Sequence, residues 1–208
     1  MTRLVLATAN VGKQREFAAL LGPRGIEVIL QSTLGISSVA ETGLSFEANA
    51  LIKARHAAAA AGLAALADDS GLEVDALGGR PGVWSARFAG PAASDADNNA
   101  ALLRALADVP AERRTARYRC VLALVRTAHD PQPLIAHGSW EGRIGFAPAG
   151  SDGFGYDPYF IPAGCVHDGA ALADFACTAA ELTPAQKNAI SHRGVALQGL
   201  LKGLDAWL

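Results

Sequence analysis

Charge is scarce in this sequence. Asp, Glu, Lys and Arg make up 18% of the residues, 20 acidic against 18 basic, for a net charge of −2. A surface built to grip long nucleic acid is basic, so a polymer-binding role is disfavoured. A small anion held by a few placed cations and a metal remains open. No apolar run approaches the ~20 residues of a membrane span. Residues 57–61 are all alanine, but Arg55 and His56 precede them and Gly62 follows. The first residues lack the apolar core of a secretory signal. These absences point to a cytoplasmic protein with no membrane partner. Cysteine is rare as well. Cys120, Cys165 and Cys177 form no CxxC pair and are odd in number, so reduced, mostly buried thiols are expected.

Several catalytic signatures are missing. There is no GxxxxGK[ST], which excludes a P-loop nucleotide site of the usual kind. Neither GxSxG nor HExxH occurs, so a hydrolase elbow and a zincin are excluded too. Gly153-Phe154-Gly155 lacks the third glycine of a dinucleotide fingerprint. Any chemistry must rest on another constellation.

What is present is material for a core. Half of the 208 residues are apolar, enough for one large domain or two closely joined lobes. Residues 3–7 read as a short buried strand, followed by a turn and a helix from about Lys13 that Gly22-Pro23 stops. Residues 26–30 read as a second strand, giving a β-turn-α-β opening. Ser45 is placed to cap a helix over 46–61 that Gly62 ends. A strand over 63–67 runs into Asp68-Asp69-Ser70-Gly71. Ser94 and Asp97 form a capping-box pattern for a helix over 94–107. Residues 117–126 and 134–144 read as partner strands. Thr183-Pro184-Ala185-Gln186 is a strong helix start, and a last helix begins near Ser191.

Five segments carry candidate chemistry. Thr8-Ala9-Asn10-Val11-Gly12-Lys13 lies at a strand-to-helix turn, where backbone N–H groups and the helix dipole favour an anion. An ordinary βα turn would use Asn10 and Gly12 equally well. Asp68 and Asp69 are adjacent carboxylates after an apolar strand, a repulsion that a divalent cation relieves. Glu41 is a further carboxylate able to complete such a site, although a lone loop Glu is usually solvated. Gly153-Phe154-Gly155-Tyr156-Asp157-Pro158 combines glycines with rings that can stack on a base, or forms a tight turn over core aromatics. Lys187, His192 and Arg193 are three close donors. Donors of this kind accept a 6-keto purine and leave buried groups unpaired against adenine, unless they form only a solvated polar cap.

Together these segments resemble the inosine triphosphate pyrophosphatase family, its bacterial dITP/XTP branch in particular. The resemblance is carried by Thr8 to Lys13, by Glu41-Thr42-Gly43 with Phe46 and Asn49-Ala50, and by residues 67–75. It continues through Pro81-Gly82-Val83-Trp84-Ser85-Ala86-Arg87, residues 153–158 and Ser191-His192-Arg193, in family order over nearly the whole chain. It implies an α/β fold with an elongated mixed sheet and flanking helices, and one domain over 1–208 with two lobes around a central cleft. It implies a homodimer, a Mg²⁺ cofactor and hydrolysis of dITP, ITP or XTP to the monophosphate and pyrophosphate. By position, Asp69 corresponds to the general base and a metal ligand, and Glu41 to a second ligand. Thr8, Ala9, Asn10, Val11, Gly12 and Lys13 would seat the phosphates, and Ser70 would touch substrate. Phe154, Gly155, Tyr156, Asp157, Lys187, His192 and Arg193 would form the nucleoside pocket. Lys53 and Arg87 are further cations that could reach the phosphates. Ala48 stands where relatives often carry Glu, and Trp84 where Tyr is common.

Three rival expectations remain: a pyrophosphatase for a modified pyrimidine, a non-catalytic nucleotide sensor, and a structural module. A sensor would need the anion seat but not Glu41 and Asp69 together.

Overall fold

A computed structural model describes residues 2–8, 11–164, 166–167, 170–171 and 177–207. Among these, a six-stranded mixed sheet has the order β2-β1-β3-β4-β5-β6, with helices in the connections. The chain divides into two compact units, residues 1–69, 121–137 and 197–208 in one, and 70–120 and 138–196 in the other.

In the first unit β1 (Thr2–Leu6) runs parallel to β2 (Ile26–Leu30) and to the start of β3 (Ala64–Val74). Leu4, Val5 and Leu6 are buried, as a central parallel strand requires. α1 (Val11–Leu21) makes the first crossover and buries Phe17 and Leu21. α2 (Phe46–Ala61) follows the expected bounds. Ser45 Oγ accepts the Ala48 N–H, Glu47 sits in the first turn, and Gly62 closes the helix at φ 64°. Ala50, Ala54, Ala57 and Ala58 form its buried face; their small side chains bring the helix backbone close to the sheet.

The second unit has its own apolar cluster, with Leu72, Leu102, Leu106, Tyr118, Trp140 and Phe160 at its centre. α3 (Asp95–Ala105) starts on the expected Ser94–Asp97 box. β4 (Thr115–Val125) and β5 (Leu134–Ile144) are long strands, and β5 pairs antiparallel with β6 (Phe160–Pro162). α4 (Pro184–Ile190) uses the Thr183–Gln186 capping box, and α5 (His192–Trp207) follows after Ser191.

The strand read over 63–67 extends further: as β3 it runs on through Asp68-Asp69-Ser70-Gly71 to Val74, with Asp68 and Asp69 buried. One expectation is corrected. Cys120 is a buried thiol, but Cys177 is disulfide-bonded. An odd count at wide spacing carries no pairing signal, because a disulfide needs Cα atoms within ~7 Å and only the fold sets that. Cys165 lies outside the described residues.

Candidate active site

In the first unit the functional side chains gather at the carboxyl ends of parallel strands, where open α/β sheets place their ligands. β1 ends at Leu6, two residues before Thr8. β2 ends at Leu30, and β3 brings Asp68 and Asp69 just past the row that pairs Leu6 with Leu66. A cavity of about 210 Å³ opens here, lined by Thr8, Lys13, Gln31, Glu41, Lys53 and Asp68 among others. That is room for several groups the size of an ordered water.

Two ion-pair systems order this cavity. Lys13, in the first turn of α1, donates to both oxygens of Asp68 at 2.8 and 2.7 Å. Lys53, on α2, donates to Glu41 Oε1 and to Asp69 Oδ1, each at 2.8 Å. Burial is the largest influence on Asp69 and raises its proton affinity; Lys53 opposes this, and the Glu41 charge adds to it. Burial alone would lower the Lys53 pKa, but the Asp69 charge and the hydrogen bonds to Asp69 and Glu41 outweigh it, so the ammonium stays protonated. The Glu41 loop is itself anchored. Asn49 is fully buried, and its Oδ1 accepts the Gly43 N–H at 2.8 Å. A Cβ at Gly43 would come within 2.7 Å of that oxygen, so this close approach requires glycine.

The donor set suits a hard divalent cation. Glu41 and Asp69 supply carboxylate oxygens, and one ammonium cannot neutralise both. Mg²⁺ is typically held by one or two carboxylates, completed by water and substrate phosphates. No group of three or more His, Cys, Asp or Glu suited to a metal occurs among the described residues, so the chain offers a partial shell of this kind.

The second unit holds a more apolar pocket, lined by Ser70, Phe154, Gly155, Tyr156, His192 and Arg193, with Tyr118, Asp95 and Asn98. Its walls are tied down from several elements. The His192 ring stacks on Tyr118 at 4.8 Å and 13°. Tyr156 Oη donates to the Ser85 carbonyl at 2.8 Å. Asp95 accepts the Gly155 N–H at 2.7 Å, and Asn99 Nδ2 donates to the Gly155 carbonyl at 2.8 Å. Asp157 is buried and accepts the Phe154 N–H at 2.8 Å and the Lys187 ammonium. Gly153 has φ 82°, and a Cβ there would strike the Asp157 carboxylate. The loop thus presents Phe154, whose ring is largely exposed.

Most expected site residues gather in two groups. Thr8, Lys13 and Glu41 line the first cavity, and Asp69 is tied to it through Lys53. Ser70, Phe154, Gly155, Tyr156, His192 and Arg193 line the second pocket. Ala9 and Asn10 lie outside the described residues, as do the side chains at Val11 and Gly12. Asp157 and Lys187 brace the loop: they pair with each other, and Lys187 Nζ lies 4.8 Å from the Phe154 ring centre. Arg87 lies over the Trp84 ring, 4.5 Å from its centre. Sequence reasoning missed Gln31, Tyr118, Asp95 and Asn98, which carry no local motif. It left Lys53 open, because an exposed helix lysine looks the same in sequence.

The comparisons agree with one another. The model of the Ham1 family matches residues 4–203. The chain is 52% identical over 206 residues to the dITP/XTP pyrophosphatase of Vibrio cholerae, covering 99% of this chain and 98% of that one. Against the dITP/XTP pyrophosphatase of Escherichia coli K12 it is 52% identical over 205 residues, with 98% of each chain covered. Among solved structures, a HAM1 protein from Coxiella burnetii superposes with a TM-score of 0.88 at 44% identity, over 99% of this chain and 100% of that one. The nucleoside-triphosphatase, or dITP/XTP pyrophosphatase, of Mycobacterium abscessus gives 0.76 at 45% identity, over 96% and 99%.

Proposed function

The chain belongs to the Ham1 family, and from that premise we propose that it hydrolyses deaminated purine nucleoside triphosphates to the monophosphate and pyrophosphate. The observation that carries the reading is the convergence of Glu41 and Asp69 on Lys53, beside a cavity that Lys13 and Thr8 also line. A nucleotide sensor has no use for that carboxylate pair.

Each unit offers contacts of its own. Thr8 and Lys13 of the first receive the triphosphate, with the buried Asp68 carboxylate holding the Lys13 ammonium in place. The pocket of the second receives the nucleoside: Phe154 offers a ring to the base, and His192 and Arg193 offer donors to a 6-keto oxygen. Adenine presents an amino group there and would leave those donors unpaired. Lys53 holds Glu41 and Asp69 in register. Asp69 accepts a proton from the attacking water, a task suited to a carboxylate whose proton affinity burial has raised. The water oxygen bonds to the α-phosphorus, the bridge to the β-phosphorus breaks, and pyrophosphate leaves with the bond's electron pair. Glu41 and Asp69 would hold the Mg²⁺, which when bound neutralises phosphate charge and acidifies its water.

We read residues 1–208 as one functional domain in two lobes, acting as a homodimer in the cytoplasm. Among the described residues no helix is long and apolar enough to cross a membrane.

The deciding assay measures Mg²⁺-dependent pyrophosphate release over standard and deaminated triphosphates. Turnover of dITP, ITP or XTP at least ~10-fold above dATP is expected, since one mismatched donor set supplies that much discrimination. Equal turnover of all purines, or none of any, overturns the proposal.

A further inference from the structure

We infer that Gln31 is a substrate-contacting residue, hydrogen-bonding the pyrophosphate half of the triphosphate tail. The inference rests on the pyrophosphatase reading above. Gln31 follows β2 directly, and only 5% of its surface is exposed. Its backbone is committed, because its carbonyl accepts the Ile36 N–H at 3.0 Å. Its side chain lines the cavity shared by Thr8, Lys13, Lys53 and Asp68. A carboxamide on that wall presents two donor hydrogens and an acceptor to whatever fills the cavity. A ligand in that cavity is the partner the geometry provides.

Strand order says which part of the ligand. Leu6 of β1 pairs with Leu30 of β2 on one side and with Leu66 of β3 on the other. Gln31 lies one residue beyond that row on β2; Asp68 and Asp69 lie two and three beyond it on β3. Two strand spacings, about 10 Å, separate their strands. A substrate whose α-phosphorus lies at Asp69 sends its β- and γ-phosphates away from the base that attacks it. The end of β1, with Thr8 and then Lys13, covers the middle of that path, and Gln31 its far side. An amide there adds donors to phosphate oxygens without a further positive charge to retain the departing product.

The test is calorimetric titration, with Mg²⁺ present, of wild type and Gln31→Met with inorganic pyrophosphate and separately with dIMP. Methionine keeps the volume and removes the donors. We expect pyrophosphate Kd to rise about 10-fold, the effect of one lost hydrogen bond to a charged group, while dIMP Kd stays within about twofold. Gln31→Glu places a carboxylate against the phosphates and must weaken pyrophosphate at least as much. Unchanged pyrophosphate affinity in either variant overturns the inference, as does equal weakening of both ligands. Failure of the pyrophosphatase reading has a different signature: wild type would release no pyrophosphate from any triphosphate, while Gln31→Met still lost affinity for inorganic pyrophosphate.

Discussion

Glu41 and Asp69 meet on a single ammonium, each accepting a hydrogen bond of 2.8 Å from Lys53 Nζ. One positive charge between two carboxylates leaves a net negative site. Burial deepens the imbalance, because Asp69 has little water to spread its charge into. A site of this kind draws a divalent cation and, through it, a polyphosphate.

The first consequence concerns the base. Asp69→Asn keeps the shape and a hydrogen bond to its surroundings but removes the proton acceptor. Turnover of dITP should fall ~10²-fold or more, the usual worth of one general base, with the thermal transition retained. Near-normal pyrophosphate release by the folded variant would remove Asp69 from that role.

Glu41→Gln separates metal binding from proton transfer. Asp69 and Lys53 remain paired, so the fold should persist. The Mg²⁺ concentration for half-maximal activity should rise about 10-fold or more, since a charge-assisted oxygen ligand is lost. A Mg²⁺ titration superimposable on wild type would show that Glu41 holds no ion.

Selectivity should reside in the second unit. Arg193→Ala removes one of the donors lining the nucleoside pocket. The ratio of kcat/KM for dITP over dATP should fall by about 10-fold, chiefly through loss of dITP turnover. An unchanged ratio, measured in competition, would contradict the donor argument.

Stability and pH are linked at Asp130, away from the candidate site. Its carboxylate is buried and accepts the Arg126 and Gln132 N–H groups at 2.8 and 2.9 Å. Burial pushes its pKa up, but those bonds and the Arg126 charge outweigh it and hold the carboxyl below its ordinary value. A lowered folded-state pKa stabilises the protein above the unfolded value near ~3.9, and that contribution is lost as pH falls through the folded one. Asp130→Ala should cost about 1–2 kcal/mol at neutral pH, a Tm loss of roughly 3–6 °C. The difference from wild type should shrink below about pH 4. A gap that widens on acidification would reverse the assignment.

The elements were legible where local chemistry decides them. The bounds of α2 follow from Ser45 and Gly62, the start of α4 from the Thr183–Gln186 box, and that of α3 from Ser94 and Asp97. The burial of the acidic segment was not legible. The strand continues through two adjacent aspartates, and Lys13 and Lys53, from two different helices, supply the counter-charges. No local pattern announces cations that arrive from elsewhere in the chain.

The order of the motifs, and with them the family, was fixed by the sequence itself, because residue types at set spacings survive without coordinates. So was the pairing of an anion seat with acidic residues. Tertiary structure alone decided that Lys53 bridges Glu41 and Asp69, that Lys187 braces Asp157, that Tyr118 backs His192, and that Gln31 lies in the cavity with Lys13. Each of these joins residues far apart in the chain. Such contacts depend on strand order and helix placement, which are set by burying the whole core rather than by any stretch that carries a motif.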